Sequence, residues 1–231
     1  MINFDEQARL FTLIGTELEE RTECILIGGS AMLFYNAKEI TKDIDIVAMD
    51  KKAFGRIKNV LERIGFSEKK LLTIFKHYEL VEEDKVKPVI MQLKDTRIDL
   101  FLKKVICFEI TDSIIERISE VHEFGNLIIK IISPEDIILL KCATDREKDR
   151  LDALELVKRF NIKWDAIIKE SIRQTELEET VFPVYLYDFL LELKENFKAD
   201  IPEKVIDEVF DVSEKAIEKA MKEKRLHKER R

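Results

Sequence analysis

"ILIGGSAMLFYNAKEITKDIDIV", residues 25–47, is the stretch whose reading decides the fold. It opens as an apolar run, breaks at Gly28-Gly29-Ser30 and closes on Asp43-Ile44-Asp45. Glu23 to Ile27 reads as a strand, Ser30 to Asn36 as a short helix and Asp43 to Met49 as a second strand. Gly28 and Gly29 lack a Cβ, so the backbone can turn sharply there and a ligand can come close. The helix that follows favours anions at its start, and Ser30 adds a hydroxyl donor. Side chains alternate along a strand, so Asp43 and Asp45 share one face and Ile44 and Ile46 the other. Two carboxylates side by side repel unless a cation lies between them. Their oxygens suit Mg²⁺, which keeps waters and substrate phosphates in its shell. Each motif alone is common, Gly-Gly-Ser as a plain turn and Asp-Ile-Asp in an exposed strand. Together they say more, because the twelve residues between Ser30 and Asp43 fit one short helix and a returning strand.

Outward from this stretch, Phe4 to Arg21 and Lys52 to Ile64 carry helical periodicity. Leu71 to Leu80, Pro88 to Leu93, Arg97 to Leu102 and Leu127 to Ile132 read as strands, with turns at Glu82 to Lys85 and Lys94 to Thr96. Ser133-Pro134-Glu135-Asp136 is a strong helix start, with serine before the first turn, proline in it and carboxylates at its positive end. Helical patterns then follow over Ile137 to Thr144, Glu147 to Phe160, Trp164 to Arg173, Leu177 to Asn196 and Glu203 to Leu226. The expected architecture is α+β: a mixed sheet flanked by helices over residues 1–132, then a C-terminal helical bundle over 133–231.

Strand, Gly-Gly-Ser, short helix and Asp-x-Asp resemble the DNA polymerase β-like nucleotidyltransferases. That resemblance implies a third carboxylate on a neighbouring strand. Asp99 fits best, since Ile98, Leu100 and Leu102 alternate with it; Asp95 and Glu109 fit less well. A second stretch, "SPEDIILLKCATDREKDRLDALEL" (Ser133 to Leu156), places Lys141, Asp145, Asp149 and Asp152 on one face if the helix is continuous. Spacing alone reads equally as a salt-bridged, solvated helix. The stretch is similar to AbiEii-type minimal nucleotidyltransferases, which include toxins of type IV toxin–antitoxin systems. The resemblance covers Ile25 to Phe160. It implies that Lys141 faces the nucleotide phosphates and that Asp145, Arg146, Asp149 and Asp152 orient it or brace the helix.

The reaction so implied is transfer of an NMP from an NTP to a hydroxyl acceptor, a tRNA or a protein, with release of pyrophosphate. Asp43, Asp45 and Asp99 would hold Mg²⁺ as a two-metal site; Gly28, Gly29, Ser30 and Lys141 would hold the phosphates. An antitoxin partner belongs to the same implication. The alternative is a catalytically silent nucleotide-binding module.

Composition bounds the rest. With 231 residues, 45% apolar and 38% charged, the chain is expected to be globular. Its formal charge of -7 gives no global attraction to nucleic acid, although the tail from Lys222, "KEKRLHKERR", is basic. Cys24, Cys107 and Cys142 lack paired spacing, so buried thiols in a reducing cytoplasm are expected rather than disulfides or zinc. Phe4 to Glu20 carries charges throughout, unlike a secretion signal. No apolar run approaches the ~20 residues of a membrane span. His77, His122 and His227 have no ligand spacing, and Trp164 reads as packing.

Overall fold

The computed structural model describes residues 1–69, 88–105, 107–177 and 181–229. The strand expected over Leu71 to Leu80, the turn at Glu82 to Lys85 and His77 lie outside these residues. The chain begins β1 (Ile2–Asn3), α1 (Phe4–Glu17), β2 (Thr22–Ile27), α2 (Gly28–Phe34), β3 (Ile40–Thr41), β4 (Ile44–Ala48), α3 (Lys51–Arg63) and β5 (Ser67–Glu68). It continues with β6 (Val89–Leu93), β7 (Thr96–Leu102), β8 (Lys104–Val105), β9 (Phe108–Glu109), α4 (Asp112–Glu116), β10 (Glu120–Phe124) and β11 (Leu127–Ile131). Helices α5 (Pro134–Cys142), α6 (Glu147–Arg159), α7 (Trp164–Leu177), α8 (Phe182–Glu195) and α9 (Glu203–Glu229) complete it. This is the α+β architecture expected, strands first and helices after.

Two compact units result: residues 1–106 with 110–133, and residues 107–109 with 134–231. In the first, the described strands form a mixed sheet in the order β10-β11-β2-β4-β7-β6-β5. β11 runs parallel to β2, and β4 parallel to β7; the other neighbours are antiparallel. The central strands are apolar runs, and Leu26, Ile44, Val47, Ile98, Leu100 and Ile129 are fully buried. Each such side chain contributes about 1.5–3 kcal/mol through the water it sheds. α1 starts at Asn3, whose side chain accepts from Glu6 N–H while the Glu6 carboxylate accepts from Asn3 N–H. α3 starts at Asp50, whose Oδ1 accepts from Lys52 and Ala53 N–H at 2.7 and 2.8 Å. α3 turns Phe54, Ile57 and Leu61 inward at helical spacing, and it packs on β2, β4 and β7.

In the second unit, Phe182, Leu186, Phe189, Leu190 and Leu193 of α8 form the spine against which α7 and α9 pack. The helix expected from Leu177 is divided: Leu177 closes α7, and α8 opens at Phe182-Pro183. The stretch from Ser133 forms two helices, matching the separate patterns over Ile137 to Thr144 and Glu147 to Phe160. α5 ends at Cys142 and α6 begins at Glu147, with no proline or glycine at the break. Among the described residues, no helix is long and apolar enough to cross a membrane. Cys24, Cys107 and Cys142 are free thiols, and burial pushes that of Cys24 up to about 12.

Candidate active site

Asp45 stands beside Asp99 in the parallel register of β4 and β7. Ile44 and Ile46 of β4 and Ile98 and Leu100 of β7 are at most 1% exposed, so alternation turns both aspartates to the opposite face. Asp43 enters β4 two residues earlier, on the aspartate side.

Arg97, two residues before Asp99 on β7, reaches into this group. Its Nε donates to Asp99 Oδ1 at 2.7 Å and its Nη2 to Asp99 Oδ2 at 2.6 Å. Two parallel charged hydrogen bonds are the strongest grip an arginine takes on a carboxylate. The same Nε lies 3.9 Å from Asp43 Oδ1. The bonds to Asp99, and the fields of Asp99, Asp43 and Asp45, all push the guanidinium pKa up. Asp99 is caught between opposing forces. Burial pushes its carboxyl above the usual carboxylate range, Arg97 pulls it back, and the charge of Asp43 pushes it up again. The net shift is upward, so desolvation and crowding win over the ion pair.

The glycine pair is required by the same aspartates. Gly28 has φ +62°, and a Cβ there would lie 2.9 Å from Asp45 Oδ2. A Cβ on Gly29 would lie 2.7 Å from Thr41 Oγ1, and that hydroxyl donates to the Asp43 carbonyl at 3.1 Å. Ser30 is fully buried. Its Oγ donates to the Ile27 carbonyl at 2.8 Å and accepts from Asp45 N–H at 3.2 Å. The hydroxyl offered by the sequence as a phosphate donor thus ties α2 to the aspartate strand. Gln7, also fully buried, donates to the Ser30 carbonyl at 3.1 Å and fixes the turn from α1.

The structure brings together Gly28, Gly29, Ser30, Asp43, Asp45 and Asp99 in the first unit. Lys141 belongs to the second unit, where it is 6% exposed. Its Nζ donates to Asp149 Oδ1 at 2.8 Å and to Asp152 Oδ2 at 2.6 Å. On a continuous helix, eight residues rise about 12 Å, too far for this ion pair. The break between α5 and α6 lets the chain fold back and close it. Asp149 also accepts from Thr144 and Arg146. Burial opposes its ionisation, yet Lys141 with these donors holds its pKa down to about 2. Asp145 leaves the shared face expected for it and pairs with Arg150 at 3.1 Å from full exposure.

Three residues escaped the reading of the sequence: Arg97, Gln7 and Thr41. Arg97 did leave a signal, since it lies one strand period from Asp99. Gln7 and Thr41 left none, because Gln7 bonds a main-chain carbonyl 23 residues on and Thr41 bonds the carbonyl of Asp43 inside a bend.

Magnesium suits the donor set, which is all carboxylate oxygen. The guanidinium of Arg97 is a stand-in cation that shows where the aspartates draw positive charge. With Arg97 so seated, the described residues contain no group of three or more acids, histidines or cysteines arranged to hold a metal ion. Asp99 is the aspartate that Arg97 engages through both oxygens.

No curated protein matches the chain. Among solved structures, it is similar to an antigenic nucleotidyltransferase-like protein from Paracoccidioides brasiliensis. The two are 14% identical, the likeness covers 89% of this chain and 98% of that one, and the TM-score is 0.48. The model of one family, described as "Nucleotidyltransferase of unknown function (DUF6036)", matches residues 1–191, from α1 into α8 and short of α9. The glycine turn, the Asp-x-Asp strand and the third aspartate all fall within that match, and the chain belongs to this nucleotidyltransferase family.

Proposed function

We propose that the protein transfers an NMP from an NTP to a hydroxyl acceptor and releases pyrophosphate. One observation carries this reading: Asp43, Asp45 and Asp99 gather around a single guanidinium beside the Gly28 turn. Such a group of acids is suited to a cation and to a substrate that arrives with it. Mg²⁺, when bound, would offset phosphate charge and steady the attacking and leaving oxygens. Asp43 and Asp45 would hold the ion that accompanies the triphosphate. Asp99, whose carboxyl burial pushes up, is suited to take the proton of the acceptor hydroxyl at an Oδ atom as that oxygen attacks the α-phosphorus. Gly28 and Gly29 would let the leaving phosphates lie against bare backbone, and Ser30 would keep Asp45 in place from below. Most of the rate would then come from positioning and electrostatics.

The AbiEii resemblance assigns Lys141 to the phosphates. That role requires its ammonium to leave Asp149 and Asp152, at least in part. The same resemblance proposes a toxin-like protein, with a tRNA or a protein as acceptor and an antitoxin as partner, while the unpaired cysteine spacing favours a reducing cytoplasm. A second reading, a silent nucleotide-binding module, is favoured by the two-pronged hold of Arg97 on Asp99.

Incubation with each labelled NTP, Mg²⁺ and total cellular RNA or protein tests both. Labelled product with pyrophosphate is the expected result, and it disappears in Asp43→Ala. Nucleotide binding without pyrophosphate for any NTP supports the silent module and rejects the transferase.

A further inference from the structure

We propose that Arg97 is a built-in competitor of the divalent cation. While it grips Asp99, it withholds that carboxylate from an incoming ion. Asp99 joins as a ligand when the guanidinium lets go. This inference rests on the reading of the aspartates as metal ligands.

The geometry makes the competition direct. Each oxygen of Asp99 accepts a short charged hydrogen bond from Arg97, at 2.7 and 2.6 Å. The guanidinium also stands 3.9 Å from Asp43. An ion bridging Asp99 to the other aspartates would therefore meet a like charge at close range. Arginine does not lose its proton in a protein, so its charge can leave only if the side chain moves. It has room to do so: Arg97 is 35% exposed, against 14% for Asp99. The short aspartate is fixed on a central strand, while the long arginine can swing outward into solvent. Alternation on β7 fixes the rivalry, because residue 97 lies on the same face as residue 99. The pair thus keeps Asp99 aimed while Arg97 is seated, and it delays the second ion.

Mn²⁺ is the probe, followed by electron paramagnetic resonance and calorimetry on the full chain at pH 8. The wild type is expected to bind one Mn²⁺ firmly and a second far more weakly. Arg97→Met should tighten the second ion on the order of tenfold, the scale set by removing a unit charge a few ångströms away. Arg97→Lys keeps the charge but loses the fork, so its second ion should bind between the two. Circular dichroism establishes that each variant is folded, and Arg97→Lys carries the test if Arg97→Met is not. Unchanged or weaker binding of the second ion in the folded variants overturns the proposal. Asp43→Ala separates it from the reading beneath: if Mn²⁺ binding is unaffected by that change, the metal site itself is wrong and the competition falls with it.

Discussion

Two clusters of acids and cations in this protein use the same residue types and arrive at opposite ends. In the second unit, Asp149 gives one oxygen to Lys141 and the other to Thr144 and Arg146, and it is 2% exposed. Arg150 lies 5.1 Å above the Phe189 ring and pairs with Glu192 at 2.9 Å. Donors there meet acceptors, and Asp149 is held at about 2. In the first unit, three aspartates face one guanidinium, and Asp99 is pushed up despite its ion pair. A satisfied network of this kind braces a fold. Asp99, withdrawn from water and crowded by Asp43, is a perturbed acid of the kind that marks a candidate site of chemistry.

The sharpest way to break this contrast is Asp43→Ala or Asp45→Ala. Each should reduce pyrophosphate release at least about 1000-fold, with melting within a few degrees of wild type. Full activity in either variant would leave the first cluster as surface decoration. Lys141→Met comes next. It strands Asp149 and Asp152 without their ammonium, and breaking a buried pair costs about 3–5 kcal/mol. Thermal melting should fall by roughly 10 °C for a chain of this length. A lysine that acts on phosphates alone would reduce activity and leave the melting curve in place.

Acid unfolding sharpens the comparison further. Asp149 has a folded pKa below its unfolded value of 3.8, so its stabilisation is present above that value and disappears as pH falls from about 4 through about 2. The loss is roughly 2–3 kcal/mol, and Asp149→Asn should start less stable and flatten that limb. Asp99 has the opposite sign. Its raised pKa gives stability at low pH that is lost as pH rises through the folded value, so Asp99→Asn should remove a penalty at neutral pH. An equal response of both variants to acid would erase the difference between the clusters. Gly28→Ala is the smallest change. A left-handed alanine costs about 1–2 kcal/mol, and its Cβ would press on Asp45 Oδ2. About a tenfold loss of transfer and a fall of a few degrees in melting are expected.

Much of this was legible because it rests on local rules. Strand, glycine pair, helix and strand follow from short-range periodicity, and Asp99 stood out by alternating with Ile98 and Leu100. The strand β10 did not, because Glu120-Val121-His122-Glu123-Phe124 is polar and its place depends on pairing with β11 at the sheet edge. The break after Cys142 was legible as a gap between two helical patterns, but the ion pair that closes it was not. Nothing in Ala143-Thr144-Asp145-Arg146 forbids a helix, and the turn is held by a lysine and two aspartates that meet only once it is made. The internal partners of Ser30 were not legible for a general reason. A hydroxyl's composition announces a donor, but only the fold says which carbonyl it has found.

The parallel register of β4 and β7 joins Asp45 to a residue more than fifty positions further along the chain. Pairings that distant form late in folding, since closing so long a loop costs entropy before the contact offsets it. As the polypeptide is synthesised, Gly28, Asp43 and Asp45 emerge well before β7 exists. A nascent or truncated chain therefore carries half a site and no Asp99. The topology acts as a timing device: the three aspartates come together only once β4 and β7 have paired.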